Sequence, residues 1–275
     1  MARWHGGLDA VDYPVTYQPS TDKAIPIVKI NNPELFTRLP DAFLFDTDNT
    51  LYPYDPAHTA AQQAVREKVA QTFSISDEDF DKAFKEARTQ VKTRLKHTAA
   101  SHSRLLYLQR MLEIMGLGSQ VLLALDFEQT YWRTFLSNAV LFDGVKELLD
   151  DIRLLGIPTA IVTDLTAQIQ FRKVVYFGLD NYFDFIITSE EAGFDKPHEA
   201  PFNIALEKMR PKGDCIWMIG DNPVNDIRGS RESINAVTLQ KIHNGVVIGT
   251  EKNQPDALFN EFIHLRKLLQ KITYK

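Results

Sequence analysis

AFLFDTDNTLY, residues 42–52, sets four apolar residues (Ala42, Phe43, Leu44, Phe45) directly before Asp46, Asp48, Asn49 and Thr50. A short apolar run closed by turn-forming residues suits a strand buried on both faces, as in a parallel sheet. Acids at the end of such a strand stand where open α/β sheets bind ligands, outside the carboxyl ends of the strands. The stretch therefore predicts an α/β fold and a site at its edge.

The chain around it can carry such a fold. Its 275 residues suffice for one large domain and a smaller one, and 44% of them are hydrophobic. A net charge of −5 argues against nucleic acid or an anionic membrane as the main partner. The single cysteine, Cys215, excludes an internal disulfide and fits a reducing compartment, with the cytoplasm as the default. It stands in the apolar run CIWMIG, so it reads as core filler. No apolar stretch reaches the roughly 18 residues of a membrane helix, and the N-terminus lacks the apolar region of a signal peptide.

Residues 1–40 contain five prolines and little periodicity, which predicts an extended surface arm as an N-terminal extension, with IPIVKI (Ile25–Ile30) as an edge strand. From Pro56 to Ala139 the pattern is helical. Ser76 precedes Asp77, Glu78 and Asp79 as an N-cap, and Phe80, Ala83, Phe84, Ala87, Val91 and Leu95 follow at spacings of three and four. Leu105, Leu108, Met111, Leu112 and Met115 repeat the pattern. A last helix carries Val121, Leu122, Leu125, Tyr131, Trp132 and Phe135. Four helices inserted after a first strand predict a separate helical domain over 56–139, between core segments 41–55 and 140–275. After Asp143-Gly144, strands (158–163, 185–189, 215–220, 236–239) alternate with helices, and a final helix spans 262–272. That order predicts a parallel sheet with right-handed crossovers and helices on both faces.

Four constellations fall at or just beyond strand ends. Asp46 and Asp48 are close enough to titrate as a pair, and two differently tuned carboxylates are what covalent phosphoryl transfer needs: one attacks phosphorus, the other moves the leaving-group proton. Thr163 closes the strand AIVT, where a hydroxyl and free backbone N–H groups can hold phosphate oxygens. Lys196, in FDKPH, offers a compact positive charge, and Pro197 favours an extended backbone before it. Asp221 and Asp226, in GDNPVND after the strand CIWMI, make an oxygen-rich site suited to Mg²⁺; Asp226 equally suits a helix N-cap.

In this order the four motifs resemble those of the haloacid dehalogenase-like (HAD-like) superfamily, from about residue 41 to the C-terminus. The resemblance implies a Rossmann-like α/β core with an inserted α-helical cap and a phosphatase using an aspartyl-phosphate. Asp46 would be the nucleophile and Asp48 the acid/base. Mg²⁺ would be held by Asp46, the backbone carbonyl of Asp48, and Asp221, with Asp226 supporting or ligating. Thr163, Lys196, Thr47 and Asp164 would surround the phosphoryl group. The family usually has Asn where this chain has Asp164, a carboxylate that repels phosphate unless it turns away.

Within the family, dehalogenases do not need the second motif acid, so Asp48 favours phosphate-ester chemistry. FDTDNTLYP looks most like phosphatases of small molecules, and a helical cap suits a nucleotide or sugar monophosphate. A phosphotransferase such as a phosphomutase uses the same residues, and a non-catalytic regulatory protein would keep the fold alone. For substrate contacts the sequence offers His102 and Arg104, where HTAASHSR enters a helix, together with Tyr52 and Tyr54. A monomer or homodimer is expected.

Overall fold

The computed structural model describes residues 28–274. Residues 1–27, which hold most of the expected N-terminal extension and the first half of IPIVKI, lie outside the described residues. Strand β1 (Val28–Ile30) leads through a 3₁₀ turn at Pro33–Phe36 to β2 (Ala42–Phe45). Four helices follow: α1 (Tyr54–Phe73), α2 (Asp77–Leu95), α3 (Arg104–Ile114) and α4 (Val121–Asn138). The chain then runs α5 (Val145–Leu154), β3 (Thr159–Thr163), α6 (Ala167–Tyr176), β4 (Phe185–Thr188), α7 (Ser189–Ala192) and α8 (Glu199–Met209). It closes with β5 (Ile216–Gly220), a wide π-type turn at Pro223–Arg228, α9 (Gly229–Ile234), β6 (Val237–Lys241), β7 (Ala257–Phe259) and α10 (Phe262–Thr273).

The seven strands lie in the order β1-β7-β6-β5-β2-β3-β4, and only β1 runs antiparallel to its neighbour. β2 sits between β5 and β3, so the quoted stretch is a central strand with all four residues buried. Its side chains alternate between two cores. Ala42 and Leu44 meet Phe202, Ala205 and Met209 of α8 on one face. Phe43 and Phe45 join Trp217, Ile161 and the α5 and α10 residues on the other. Each such side chain withdrawn from water contributes about 1.5–3 kcal/mol. β7 carries no strand signal strong enough to read from sequence; it exists because β6 and β1 offer it hydrogen-bonding edges on both sides.

The inserted helices form a bundle. Ser76 caps α2 as expected, its Oγ accepting from the Asp79 N–H at 3.1 Å. Phe80, Phe84 and Ala87 of α2 and Leu108, Met111 and Leu112 of α3 are buried. α4 corrects the sequence reading: Val121, Leu122 and Leu125 are exposed, Leu122 by 83%. The face α4 buries is Ala124, Phe127, Tyr131 and Phe135, because that stripe is the one facing α1. The first turn of α4 reaches past its partners.

Candidate active site

Three parallel strands end together, and their ends converge on Lys196. Its ammonium donates to Asp46 Oδ1 at 2.7 Å, Asp226 Oδ1 at 2.6 Å and the Val162 carbonyl at 2.9 Å, so all three protons are used. Asp46 stands just past β2, its second oxygen accepting from the Thr50 hydroxyl at 3.1 Å. Asp226 sits within the wide turn after β5 and accepts from the Asn222 N–H at 2.9 Å. The N-cap of that turn is Asn222, whose Oδ1 accepts from Val224 and Asn225, and not Asp226. Gly220 is required here, since a Cβ on it would overlap the Asp226 side chain.

Burial is the largest influence on Asp46 and pushes its carboxyl up to about 7, against the attraction of Lys196. Asp221 is raised well above the usual carboxylate range, by burial and then by Asp226 and Asp46. Asp46, Asp221 and Asp226 each offer an oxygen within 4.8 Å of the others. Three carboxylates converging on one point, with a single lysine against them, are a donor set for a hard divalent cation. The donor chemistry fits Mg²⁺.

Asp48 points elsewhere. Lys173 of α6 donates to both of its oxygens, at 2.8 and 3.1 Å, and the Tyr52 hydroxyl donates to Oδ1. Burial alone would raise Asp48; Lys173 and Tyr52 outweigh it and hold the carboxyl below its ordinary range. The two acids do separate in acidity, but the raised one is Asp46, and Asp48 is the least of its five main causes. Tyr52 is 1% exposed and lies beneath Asp48, so the expectation that it lines the cleft is corrected.

The hydroxyls of Thr47 and Thr163 lie 2.8 Å apart, and the Gln170 amide donates to Thr163 Oγ1 and to the Asp164 carbonyl, both at 2.8 Å. Asp164 Oδ1 accepts from the Lys196 backbone N–H at 2.8 Å. Its carboxylate thus faces the loop that carries Lys196, a role the amide oxygen of Asn fills equally. Burial raises Asp164 to about 6, opposed by Lys196.

Above this floor the helical bundle encloses a cavity of about 510 Å³. Asp46, Asp48, Thr163, Asp164, Lys196, Asp221, Asp226, His102 and Arg104 all line it. His102 Nε2 pairs with Asp195 Oδ2 at 3.0 Å, joining bundle to core. Arg104 donates to the His102 carbonyl at 2.7 Å and to the Tyr54 hydroxyl, and its guanidinium lies over the rings of Tyr107, Tyr131 and Trp132. His58, Arg88 and Lys92 complete the wall. Burial brings His58 down to about 4, so it is neutral, with Nδ1 2.6 Å from the Tyr131 hydroxyl.

Sequence reasoning missed Lys173, Gln170, Arg88 and Lys92. A signal existed for the first two. On α6 the buried positions are Ile169, Gln170, Lys173 and Val174, so two polar residues occupy the core face. Arg88 and Lys92 give no such signal.

Residues 40–233 match the model of the haloacid dehalogenase-like hydrolases. Over 202 residues the chain is 36% identical to a ribulose-1,5-bisphosphate 5-phosphatase of Halopiger xanaduensis, covering 73% of this chain and 83% of that one. It is 26% identical to a glyceraldehyde 3-phosphate phosphatase of Methanopyrus kandleri, over 70% of this chain and 80% of the relative. Among solved structures, a 2-haloacid dehalogenase of Pseudomonas syringae superposes with a TM-score of 0.68 at 23% identity, over 85% of this chain and 99% of that one. A HAD phosphatase of Thermococcus onnurineus gives 0.61 at 22%, over 83% and 97%. These two establish the fold alone. No helix among the described residues is long and apolar enough to cross a membrane. With its four motifs converging on one cavity and its family model spanning most of the chain, this protein belongs to the haloacid dehalogenase-like hydrolases, on their phosphatase branch.

Proposed function

We propose that this hydrolase is a Mg²⁺-dependent phosphatase of a small phosphorylated metabolite, working through an aspartyl-phosphate on Asp46. The observation that carries the reading is the contrast between Asp46 and Asp48. Asp46 faces Lys196 and the acidic cluster, while Asp48 is held 2.8 Å from Lys173. One carboxylate is thereby assigned to phosphorus and the other to protons. Asp46 attacks, the bond from phosphorus to the ester oxygen breaks, and that oxygen takes a proton through Asp48 from the pair it forms with Lys173. Asp48 then accepts a proton from the water that attacks the aspartyl-phosphate, releasing phosphate and restoring Asp46.

Asp46, Asp221 and the Asp48 carbonyl would hold Mg²⁺, with Asp226 supporting or ligating. When bound, the ion offsets the repulsion between an anionic nucleophile and an anionic phosphate. Thr47 and Thr163 would receive the phosphoryl oxygens, and the Lys196 ammonium, whose protons lie on Asp46, Asp226 and the Val162 carbonyl, would offset their charge. Residues 56–139 would act as a cap domain over the 41–55 and 140–275 core, with 1–40 as an extension. The named relatives act on small phosphorylated compounds, and a cavity of about 510 Å³ suits one. The single cysteine favours the cytoplasm.

The test is phosphate release from 4-nitrophenyl phosphate with Mg²⁺. Asp46→Asn is expected to lower kcat by about 10⁴ or more, and chelation should abolish turnover that Mg²⁺ restores. An Asp46→Asn protein that keeps wild-type turnover would refute the nucleophile.

A further inference from the structure

Floor and roof of the cavity differ in how their charges are balanced. On the floor each lysine has its acid: Lys196 with Asp46 and Asp226, Lys173 with Asp48. On the roof the cations are Arg88 and Lys92, one turn apart on α2, and Arg104 at the start of α3. Among the described residues no carboxylate forms an ion pair with any of the three, and the roof's own histidine, His102, turns to Asp195.

The unmatched charges are close enough to act on one another. Burial lowers the Lys92 amine, and Arg88 and Arg104 lower it further, ahead of the opposing pull of Asp195 and Asp164. For Lys92, the pull of Asp195 and Asp164 is outweighed. Lys92 and Arg104 are partly buried, and a partly buried cation repelled by its neighbours is costly unless an anion completes it. Arg104 is also held rigid: two of its donors are fixed by the His102 carbonyl and Tyr54, and three aromatic rings surround it. A guanidinium fixed in this way, facing the cavity with no carboxylate in an ion pair with it among the described residues, suits a multi-oxygen anion.

Resting on the phosphatase reading, we propose that Arg88, Lys92 and Arg104 form a subsite for a second phosphoryl group, so that the substrate is a small bisphosphate. One phosphate lies at Asp46 on the floor and the other under the roof. Three cations answer a phosphate ester, which carries about −1.5 to −2 at neutral pH with three acceptor oxygens, better than the single charge of a carboxylate. The cavity lies within the range of roughly 300–1,000 Å³ typical of small-molecule sites. Trp132 and Tyr107 line its flank, where a short carbon chain would pass.

The experiment compares kcat/KM for a pentose 1,5-bisphosphate, the pentose 5-phosphate, 3-phosphoglycerate and 4-nitrophenyl phosphate, each with Mg²⁺. The wild-type protein should prefer the bisphosphate to the monophosphate by about 100-fold, at about tenfold for each of two charge contacts. Arg88→Gln with Lys92→Gln should reduce that ratio to about threefold, chiefly through KM, while Arg88→Lys with Lys92→Arg should restore most of it. Arg88 is exposed, and an unchanged unfolding midpoint would show that the double variant folds. A wild-type ratio near one with 4-nitrophenyl phosphate still turned over removes the subsite and leaves the phosphatase reading standing. A ratio that the double variant leaves unchanged also removes the subsite, and a preference for 3-phosphoglycerate overturns the second phosphate. Failure to hydrolyse any ester removes both readings.

Discussion

The floor of the cavity and its roof are built on opposite plans. The floor is the end of a parallel sheet, where short strands fix backbone positions and both lysines, Lys196 and Lys173, meet carboxylates within 3.1 Å. The roof is a helical surface whose cations are anchored by aromatic rings or left without an acid. A paired floor is preorganised for one chemistry, whereas an unpaired roof waits for a ligand to complete it. Chemistry and selectivity are thereby separated in one cavity.

The largest way to break this contrast is to unpair the floor. Lys196→Met should lower kcat by about 10³ and destabilise the metal-free protein by about 3–5 kcal/mol, since two buried carboxylates lose their cation. That instability should be greatest above pH 7 and shrink as pH falls. A carboxyl whose folded pKa is raised binds its proton more readily when folded, and Asp46 stands at about 7 even with Lys196 present. Unfolding midpoints measured from pH 5 to 8 check the sign.

Lys173→Met comes next. Without the ammonium, burial dominates and Asp48 should rise from its lowered range, moving the acidic limb of the kcat/KM profile to higher pH. The kcat for an alkyl phosphate should fall about 10²-fold. The loss should be smaller for 4-nitrophenyl phosphate, whose leaving group needs no proton. Equal losses on both esters would reduce Lys173 to a structural role.

Across the joint, Asp195→Asn weakens the contact with His102. Because His102 is partly exposed, the expected effect is about threefold in KM with kcat nearly constant, a side-chain contact worth about 0.3–1 kcal/mol.

An effect on stability alone sharpens the roof. His58 is lowered to about 4 by burial, so below pH 6.5 the unfolded chain takes up a proton that the folded chain refuses. Its contribution is complete above about pH 6.5 and is lost as pH falls toward 4. His58→Gln should remove about 1 kcal/mol of that slope, discounted for partial exposure, in a comparison of urea midpoints between the two proteins.

Much of the floor was legible in advance because it is local. A strand end followed by acids is a pattern of neighbours, and AFLFDTDNTLY, AIVTD and IGDNPVND each carry it, with FDKPH a short loop further on. Thr163, Lys196, Asp221 and Asp226 could therefore be named from their places in the order. Lys173 escaped because its partner lies 125 residues away, so its place on the apolar face of α6 pointed to no acid. Arg88 and Lys92 escaped more completely, since a charged pair one turn apart on a helix is the ordinary pattern of an exposed surface. The doubt over Asp164 was settled by contact: its carboxylate faces the Lys196 N–H.

The sequence by itself determined the α/β order, the buried central strand, the inserted helices and the acids at the strand ends, because hydrophobic period and turn chemistry act over a few residues. Only the tertiary structure decided which acid is raised and which lowered, which tyrosine is buried beneath Asp48, and which helical cations face the cavity. Those outcomes depend on desolvation and on charges brought together across a hundred residues or more, and no local pattern encodes that distance.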